Sequence, residues 1–541
     1  MSDFRNSTVY QIYVRSFRDG NGDGIGDLAG ITEKLPYIRE LGADYVWITP
    51  FYRSPMRDNG YDIADYYSVD PVFGTMEDAE NMLKEADRLG LKLMFDMVFN
   101  HTSTEHEWFQ KALTGDPEYI DYYIFRDPVD GHEPTNWVSK FGGNAWEYVP
   151  SLGKYYLHLF DRTQADLNWE NPKVRAELVK VLRFWKDKGV GGFRFDVVNL
   201  ISKPAVFSDD AEGDGRRFYT DGPHVHEYLK ELVREAGITD MLTVGEMSST
   251  SLENCIRYTN PKERELKMAF SFHHLKVDYR GGDKWALMLP DYAELTRLFR
   301  TWQEGMQDAG GWNAVFWCNH DQPRILSRMG DEGQYRKESA KMLATLIHLM
   351  RGTPYVYQGE EIGMMNTGFT SIDSYRDVES INYYRILLDE GKTEQEALEI
   401  LGARSRDNGR TPMQWTGEPH AGFSDCEPWL GIPDNYREVN TETEMADPDS
   451  IYHYYRKLIR LRKESELIAD GSIRFLDTGD PEIIAYERSL DGRRLTVVCN
   501  LTGREKHHGL ALPDGMSRLI GNYESLPDTG ILRPYECFAV E

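Results

Sequence analysis

Through most of this chain, short apolar runs alternate with longer stretches of helical period. Residues 9–17 (Val-Tyr-Gln-Ile-Tyr-Val-Arg-Ser-Phe) read as a first strand and residues 45–50 as a second. The pattern between them predicts a helix over about 28–41, stopped at Gly42. A second helix, about 76–89, closes at Gly90, where a residue without Cβ turns at least cost. Residues 91–101 form a third apolar run that ends in polar groups. These runs are apolar on both faces, as strands covered on both sides are.

The alternation breaks between 102 and about 171, which is rich in Tyr, Trp, Gly, Pro and Asp and has no long helical period. It resumes with a helix over 172–188, with Pro172 in its first turn, and a strand over 191–198. Further strands are expected at 241–247, 268–273, 313–320 and 354–360, and helices near 223–236, 291–307 and 335–350. Eight strands alternating with helices predict an α/β fold, a closed (β/α)8 TIM barrel with an inserted subdomain after strand 3. A long segment runs to about 446, followed by a helix near 448–465. From about 470, short alternating runs such as 483–488 and 495–500 are separated by Gly, Asp and Pro, which predicts a C-terminal antiparallel β domain. The expected division is a barrel over 1–101 and 172–469, an insert over 102–171 and a β domain over 470–541.

Charge narrows the partners. The net charge of −27 argues against duplex nucleic acid and against an anionic membrane surface. Cys255, Cys318, Cys426, Cys499 and Cys537 are widely spaced and odd in number, so reduced thiols are expected, with neither a disulfide framework nor a zinc cluster. The first residues lack the apolar core of a signal peptide, and no apolar run nears the ~18 residues that span a bilayer. The expected location is the cytoplasm.

The fourth strand carries Gly192-Phe-Arg-Phe-Asp196. Arg194 and Asp196 lie two apart and so share a face. Buried charges must satisfy each other, and this pair alone would serve equally as structural glue. The other strand ends change that reading. They carry Asp96, Asn100 and His101, then Glu246, then His320 and Asp321. A barrel gathers such ends at one face. Paired carboxylates without a Ser or Cys nucleophile elbow, a phosphate-cradling Gly loop or a metal-type His cluster point to glycoside chemistry. Asp196 beside a cation is the natural ionised nucleophile. Glu246, in an apolar strand with no adjacent cation in sequence, is the natural proton donor.

Residues 19–27 (Asp-Gly-Asn-Gly-Asp-Gly-Ile-Gly-Asp) offer oxygens at the spacing of an EF-hand-like calcium loop. Asp19, Asn21, Asp23 and Asp27 supply side chains and Ile25 its carbonyl. The bidentate Glu expected at the twelfth position is replaced by Gly30, and a metal-free Gly/Asp turn is the competing reading. Calcium is expected here, and no organic cofactor.

Taken together, Asp96-Met-Val-Phe-Asn-His101, Gly192-Phe-Arg-Phe-Asp196, Val244-Gly-Glu246 and Asn319-His-Asp321 resemble the four signatures of glycoside hydrolase family 13, the α-amylase family. The resemblance spans essentially the whole chain. It implies a retaining nucleophile at Asp196, an acid/base at Glu246 and a transition-state stabiliser at Asp321. It implies sugar ligands at His101 and His320, with Arg194 orienting the nucleophile. Asp58-Asn-Gly-Tyr-Asp62, Val197 and Asn408-Gly-Arg-Thr-Pro-Met-Gln-Trp415 resemble the oligo-1,6-glucosidase and dextran glucosidase subgroup. There the matching Asp58 and Arg410 clamp the non-reducing end, and Tyr61, Phe141 and Phe160 wall the pocket. The same subgroup implies a calcium site at residues 19–27.

Segments 213–223, 243–250, 272–278 and 316–324 look more like trehalose-6-phosphate hydrolases. The expected substrate is then a phosphorylated disaccharide, split by a retaining α-glucosidase. An anion on so acidic a protein needs a local basic patch. Lys203, Arg216, Arg217, Lys276, Arg280 and Arg324 are the candidates, and Lys276, just after the sixth strand, is the preferred one. The enzymatic alternative is a glucosidase acting on isomalto-oligosaccharides. A noncatalytic sugar-binding or transporter-accessory protein is the alternative from another class; it would have lost a catalytic carboxylate or carry a membrane anchor.

Overall fold

Apolar runs flanked by helices have one economical way to bury both faces, and the chain takes it. The computed structural model describes residues 4–512, 515–527 and 530–541. In it, β1 (Val9–Ile12), β2 (Tyr45–Ile48), β3 (Lys92–Val98), β4 (Gly192–Asp196), β5 (Leu242–Met247), β6 (Met268–Ser271), β7 (Asn313–Val315) and β8 (Thr353–Tyr357) close into a parallel barrel. Each pairs with its sequence neighbours, and β8 returns to β1.

The outer helices begin and end where local chemistry dictates. Asp27 caps Leu28–Leu41 by accepting from the Gly30 amide, and Gly42 ends it at φ 108°. Thr75 and Asp78 form a reciprocal capping box on Met76–Arg88, whose Ala79, Met82, Leu83 and Ala86 face the barrel. Asn171 caps Pro172–Asp187, with Pro172 in the first turn.

Several apolar runs are longer than the strands they contain. The run at 9–17 leaves the ladder at Ile12, and the run at 313–320 leaves it at Val315. The remaining residues bend over the barrel mouth. His101 is not on β3: His101–Ser103 pairs antiparallel with Gln164–Asp166, a ribbon at the root of the insert. The insert also holds two short helices, Glu107–Leu113 and Pro117–Ile120, and a three-stranded sheet of Phe125–Arg126, Trp146–Val149 and Lys154–Leu157. The stretch before 446 carries Val378–Asp389, Glu394–Arg404, Asp407–Arg410 and Thr441–Ala446, helices that the apolar pattern leaves unmarked.

At the C-terminus, β9 (Ser472–Phe475), β10 (Ile483–Leu490), β11 (Arg493–Asn500), β12 (Arg518–Gly521) and β13 (Cys537–Val540) form one antiparallel sheet. Arg488 and Tyr486 tie it to the barrel by donating to the Leu349 and Leu346 carbonyls. The cysteines are free, and among the described residues no helix is long and apolar enough to cross a membrane.

The insert is stapled to the barrel by one buried ion pair. Lys203 lies 2.7 Å from Asp166 and donates to Asn100 Oδ1 at 2.8 Å. Removing one partner strands the other charge, at a cost of about 3–5 kcal/mol. Lys203→Met is therefore expected to lower the denaturant-unfolding free energy by that amount. A loss below about 1 kcal/mol contradicts the staple.

Candidate active site

The floor of the barrel mouth is aromatic. Trp47 and Tyr355 pack on Phe270 at 5.7 and 4.6 Å between ring centroids. Arg194 rises from this floor. Register sets its neighbours, because it stands opposite Asp96 on β3 and Val244 on β5. Its Nη1 lies 2.7 Å from Asp96 Oδ1 and 2.7 Å from Asp196 Oδ1, and its Nη2 meets Glu246 Oε2. Trp47 Nε1 and the Tyr61 hydroxyl donate to the other Asp96 oxygen at 3.0 and 2.9 Å.

Exposure is graded around this hub. The Arg194 and Asp96 side chains are sealed at 0%, while Asp196, Glu246 and Asp321 keep 10%, 13% and 29% of theirs. Substrate therefore meets the last three and not the first two. Burial works against the Arg194 charge, but Asp96 and Asp196 outweigh it and hold the guanidinium protonated. Burial pushes Asp96 up to about 6, against the pull of Arg194 and with Asp196 adding to the rise.

The expectation for Glu246 needs correction. No cation adjoins it in sequence, yet Arg194 reaches it in space. Parallel pairing of β4 and β5 brings the long side chain within reach, and strand periodicity alone does not show that.

A second cluster lies beyond the ends of β2, β7 and β8. Tyr61 stacks on His320 at 5.0 Å and 1° between ring planes, with Tyr13 on the other face at 6.0 Å. Gln11 Nε2 lies 2.9 Å from His320 Nδ1, so the ring presents Nε2–H to Asp321 Oδ2 at 3.2 Å. Arg410 holds Asp321 Oδ1 at 2.7 Å, and Arg406 approaches it at 3.3 Å. Burial raises Asp321, but His320, Arg406 and Arg410 together hold it well below the usual carboxylate range.

The resemblance gave Asp58 and Arg410 together to the non-reducing end of the sugar; in the structure Asp58 lies 3.2 Å from Arg406, and Arg410 holds Asp321. Arg406 also grips Asp377 at 2.6 Å and lies over the Phe141 ring at 4.9 Å. Sequence reasoning missed Arg406 and Asp377. Arg406 sits four residues before Arg410 at the start of the short helix Asp407–Arg410, a spacing that puts both on one side. Gln164, also missed, donates to Asp58 Oδ2 at 3.1 Å and to the Tyr61 carbonyl at 3.2 Å. His101 Nε2 lies 3.0 Å from the same carbonyl, and Phe160 packs on the His101 ring at 5.2 Å and on Phe141 at 5.6 Å.

Backbone strain marks the turn after Asp196. Val197, directly after Asp196, sits at φ 34°, ψ 39°, where a β-branched residue is rare. Its side chain packs in a small separate core with Trp137, Trp146, Leu159 and Tyr219.

The acids at 19–27 curl on themselves. Asp19 accepts from the amides of Asn21, Gly22 and Gly24 and from Ser424 Oγ, while Asp27 accepts from Gly20, Asn21 and Gly30. Asn21 and Asp23 accept from the Asp23 and Ile25 amides. Among the described residues, no three His, Cys, Asp or Glu side chains converge in a way that would hold a metal ion.

The candidate phosphate cations divide. Arg324 is buried and donates to the Gln358 carbonyl at 2.6 Å, Lys203 is consumed by Asp166, and Arg217 faces Asp210 at 2.8 Å. Lys276 is open to solvent on the turn after β6, with walls close enough to depress its affinity for a proton.

Known proteins bear on this site. A model of the alpha-amylase catalytic domain matches residues 11–471. The trehalose-6-phosphate hydrolase of Bacillus subtilis (strain 168) is 51% identical over 545 residues, covering 98% of this chain and 97% of the relative. The oligo-1,6-glucosidase of Parageobacillus thermoglucosidasius is 47% identical over 535 residues, covering 96% and 95%. The crystal structure of the trehalose-6-phosphate hydrolase of Bacillus licheniformis superposes with a TM-score of 0.95 at 53% identity, covering 99% of each chain.

Asp58 supplies a direct test of the site's electrostatics. Burial pushes it up to about 7, opposed by Arg406 and Arg410. Its folded value thus exceeds its unfolded value, so between about pH 4 and 7 the native state holds a proton that the unfolded chain has released. Stability must fall as pH rises through that window. Asp58→Asn removes this term, so the difference in Tm, variant minus parent, is expected to grow from pH 4.5 to pH 7.5. A difference independent of pH contradicts the assignment.

Proposed function

Because this chain belongs to the α-amylase family, we propose that it is a retaining α-glucosidase that hydrolyses trehalose 6-phosphate to glucose and glucose 6-phosphate. The observation that carries the chemistry is one guanidinium, Arg194, held against Asp96, Asp196 and Glu246 at once. The similarity to two trehalose-6-phosphate hydrolases, each 51% identical over 98% of this chain, supports the choice of substrate.

Asp196 is the nucleophile. Arg194 holds its Oδ1, and no protein donor reaches Oδ2 among the described residues, so that oxygen is free to attack the anomeric carbon. Three carboxylates crowd one cation, and Glu246, partly open to the pocket where Asp96 is sealed, is the member placed to deliver a proton to the leaving oxygen. The deprotonated Glu246 then takes a proton from the water that opens the glucosyl–Asp196 ester. Asp321, kept ionised by His320, Arg406 and Arg410, faces the positive charge that develops on the sugar. His101 and His320, which the resemblance assigns to sugar hydroxyls, stand buried at the edge of the pocket against the Tyr61 carbonyl and Asp321. Asp58, Arg406 and Arg410 close the end of the pocket that receives the non-reducing sugar, with Tyr61, Phe141 and Phe160 as its walls.

Calcium enters this reading as a structural ion of the loop at 19–27, whose carboxylates, turned here onto the loop's own amides, would have to draw together around it. Asp19, Asn21, Asp23 and Asp27, with the Ile25 carbonyl, are the hard oxygen donors it takes. Calcium is expected to raise the Tm of chelator-treated protein, and Asp23→Ala to abolish the rise. No rise in the parent removes the ion from the account. The cytoplasm is the matching compartment, since unpaired cysteines suit a reducing environment.

Asp196→Asn is expected to lower kcat by at least about 10⁴-fold with folding unchanged by circular dichroism. Glu246→Gln is expected to lose about 10²–10⁴-fold on the disaccharide and far less on a dinitrophenyl glucoside, whose leaving group needs no proton. Equal losses on both contradict the acid role. Turnover of isomaltose but not of trehalose 6-phosphate would make the chain an oligo-1,6-glucosidase instead.

A further inference from the structure

The sheet itself does not hold Asp196 and Glu246 to one another. The ladder between β4 and β5 ends at Phe195 opposite Gly245, one residue short of both carboxylates. Beyond that point each strand leaves in a turn that its backbone resists. Val197, directly after Asp196, lies at φ 34°, and Ser249, three residues after Glu246, lies at φ 59°. Residues with a Cβ keep such angles only where the surroundings over-determine them. A third, Asp221 at φ 49°, comes from the long connection between β4 and β5.

Contacts join the three turns. Asn199, three residues after Asp196, is sealed from solvent. Its Oδ1 accepts from the Ser248 amide and its Nδ2 donates to the Ser248 carbonyl, each at 2.9 Å. Nδ2 also donates to Asp221 Oδ1 at 3.2 Å, and the Asp221 amide donates to the Asn199 carbonyl at 2.9 Å. Asn199 thereby spends both of its N–H groups on this junction.

Asp221 extends the grip along the exit of β5. Its Oδ2 accepts from Thr250 Oγ1 at 2.9 Å and from Asn254 Nδ2 at 2.8 Å, and its Oδ1 also accepts from the Tyr258 hydroxyl at 2.7 Å. Asn254 and Tyr258 lie one turn apart on the helix Leu252–Thr259 and so share a face. Burial, with Asp221 adding to it, keeps the Tyr258 hydroxyl protonated, as a donor must be. Four neutral donors therefore converge on one carboxylate, which has about four acceptor sites to offer. The backbone beside it is wedged in place: a Cβ on Gly222 would fall 2.0 Å from the Ser202 carbonyl oxygen.

The two turns are not held alike. Val197 and Leu200 pack in the small core of the insert, so the turn after Asp196 has an apolar anchor of its own. Ser248 is held through polar contacts, by Asn199 and by Lys140, whose Nζ donates to Ser248 Oγ at 3.0 Å. Thr250 is held by Asp221. Loosening this junction displaces the Glu246 side and leaves Asp196 where it is.

We propose that Asn199 and Asp221 are positioning residues for Glu246, a yoke that ties the exit of β5 to the exit of β4 and so fixes the separation of proton donor and nucleophile. This rests on the reading of Glu246 as the donor and Asp196 as the nucleophile. In a retaining mechanism those two carboxyl groups stand about 5–5.5 Å apart, and one donor serves both the leaving oxygen and the incoming water. A misplacement of about 1 Å costs about 10²-fold in rate. Loss of the yoke therefore removes proton delivery first and leaves attack on a good leaving group intact.

The test is the dependence of kcat/KM on the leaving group, measured with phenyl, 4-nitrophenyl and 2,4-dinitrophenyl α-glucosides on the parent, Asn199→Ala, Asp221→Ala and Glu246→Gln. Asn199→Ala and Asp221→Ala are expected to lose about 10–10²-fold on the phenyl glucoside and less than about threefold on the dinitrophenyl glucoside. Glu246→Gln is expected to show the same pattern more strongly. A loss equal across the series, which a merely structural defect would give, overturns the yoke, and so does the absence of any loss. Asp221→Asn keeps the size of the side chain and guards against misfolding. It is expected to steepen the leaving-group dependence in the same direction, and an unchanged dependence overturns the part given to Asp221. If Glu246→Gln loses equally on all three glucosides, the reading of Glu246 as donor falls. Hydrogen exchange of Asp221→Asn then decides the yoke by itself. Exchange over residues 247–259 is expected to quicken about tenfold or more, with the helix Pro172–Asp187 unchanged. No change over 247–259, or an equal rise in both segments, overturns it.

Discussion

Everything at the barrel mouth depends on one buried guanidinium and the number of carboxylates around it. Arg194 is sealed from water, and its three partners come from three strands. A charge at that depth is tolerable only because Asp96 and Asp196 compensate it, with Trp47 beneath and Tyr61 beside it. The same arrangement leaves the carboxylates short of cations. A structural ion pair would have been matched one to one. Burial and the excess of acid over base together raise the proton affinity of Asp96.

The second cluster applies the opposite balance. Asp321 has His320, Arg406 and Arg410 around it and stays ionised, while Asp58 shares Arg406 with Asp377 and gains affinity for a proton. Neighbouring carboxylates in one pocket are thereby driven apart in behaviour by burial and by how two guanidiniums and one imidazole are distributed among them. The distribution is geometric, since Arg406 and Arg410 leave one short helix on the same side and each chooses the nearer acid.

Much of this was legible in the sequence. Eight apolar runs gave the barrel, and the polar residues at their ends gave Asp96, Arg194, Asp196, Glu246 and Asp321 as a group, because a parallel barrel leaves such ends nowhere else to go. What the pattern hid has common physical causes. His101 follows an apolar run without a break, so its departure into a ribbon with Gln164–Asp166 leaves no mark in periodicity. Arg406 and Asp377 lie in a segment whose short helices are anchored by polar contacts rather than by an apolar stripe. The contact between Arg194 and Glu246 depends on the reach of a side chain across paired strands. Lys140 looks, in sequence, like any lysine in a polar loop. Only folding brings it to Ser248.

The strained Val197 has a consequence of a different kind. Its side chain belongs to the small core of the insert, with Trp137 and Tyr219, while its backbone aims Asp196. Trp137 is also the ring against which Gly215 and the Arg216 loop are laid. The loop that carries Arg216 and the turn that follows Asp196 therefore share one set of packed side chains. Such a chain is not modular. Its loops are not interchangeable with those of a relative as separate cassettes, because exchanging them redraws the surface on which the turn after Asp196 rests. Substitutions in these loops have to keep this small core filled, a constraint from which Lys276, outside it, is exempt.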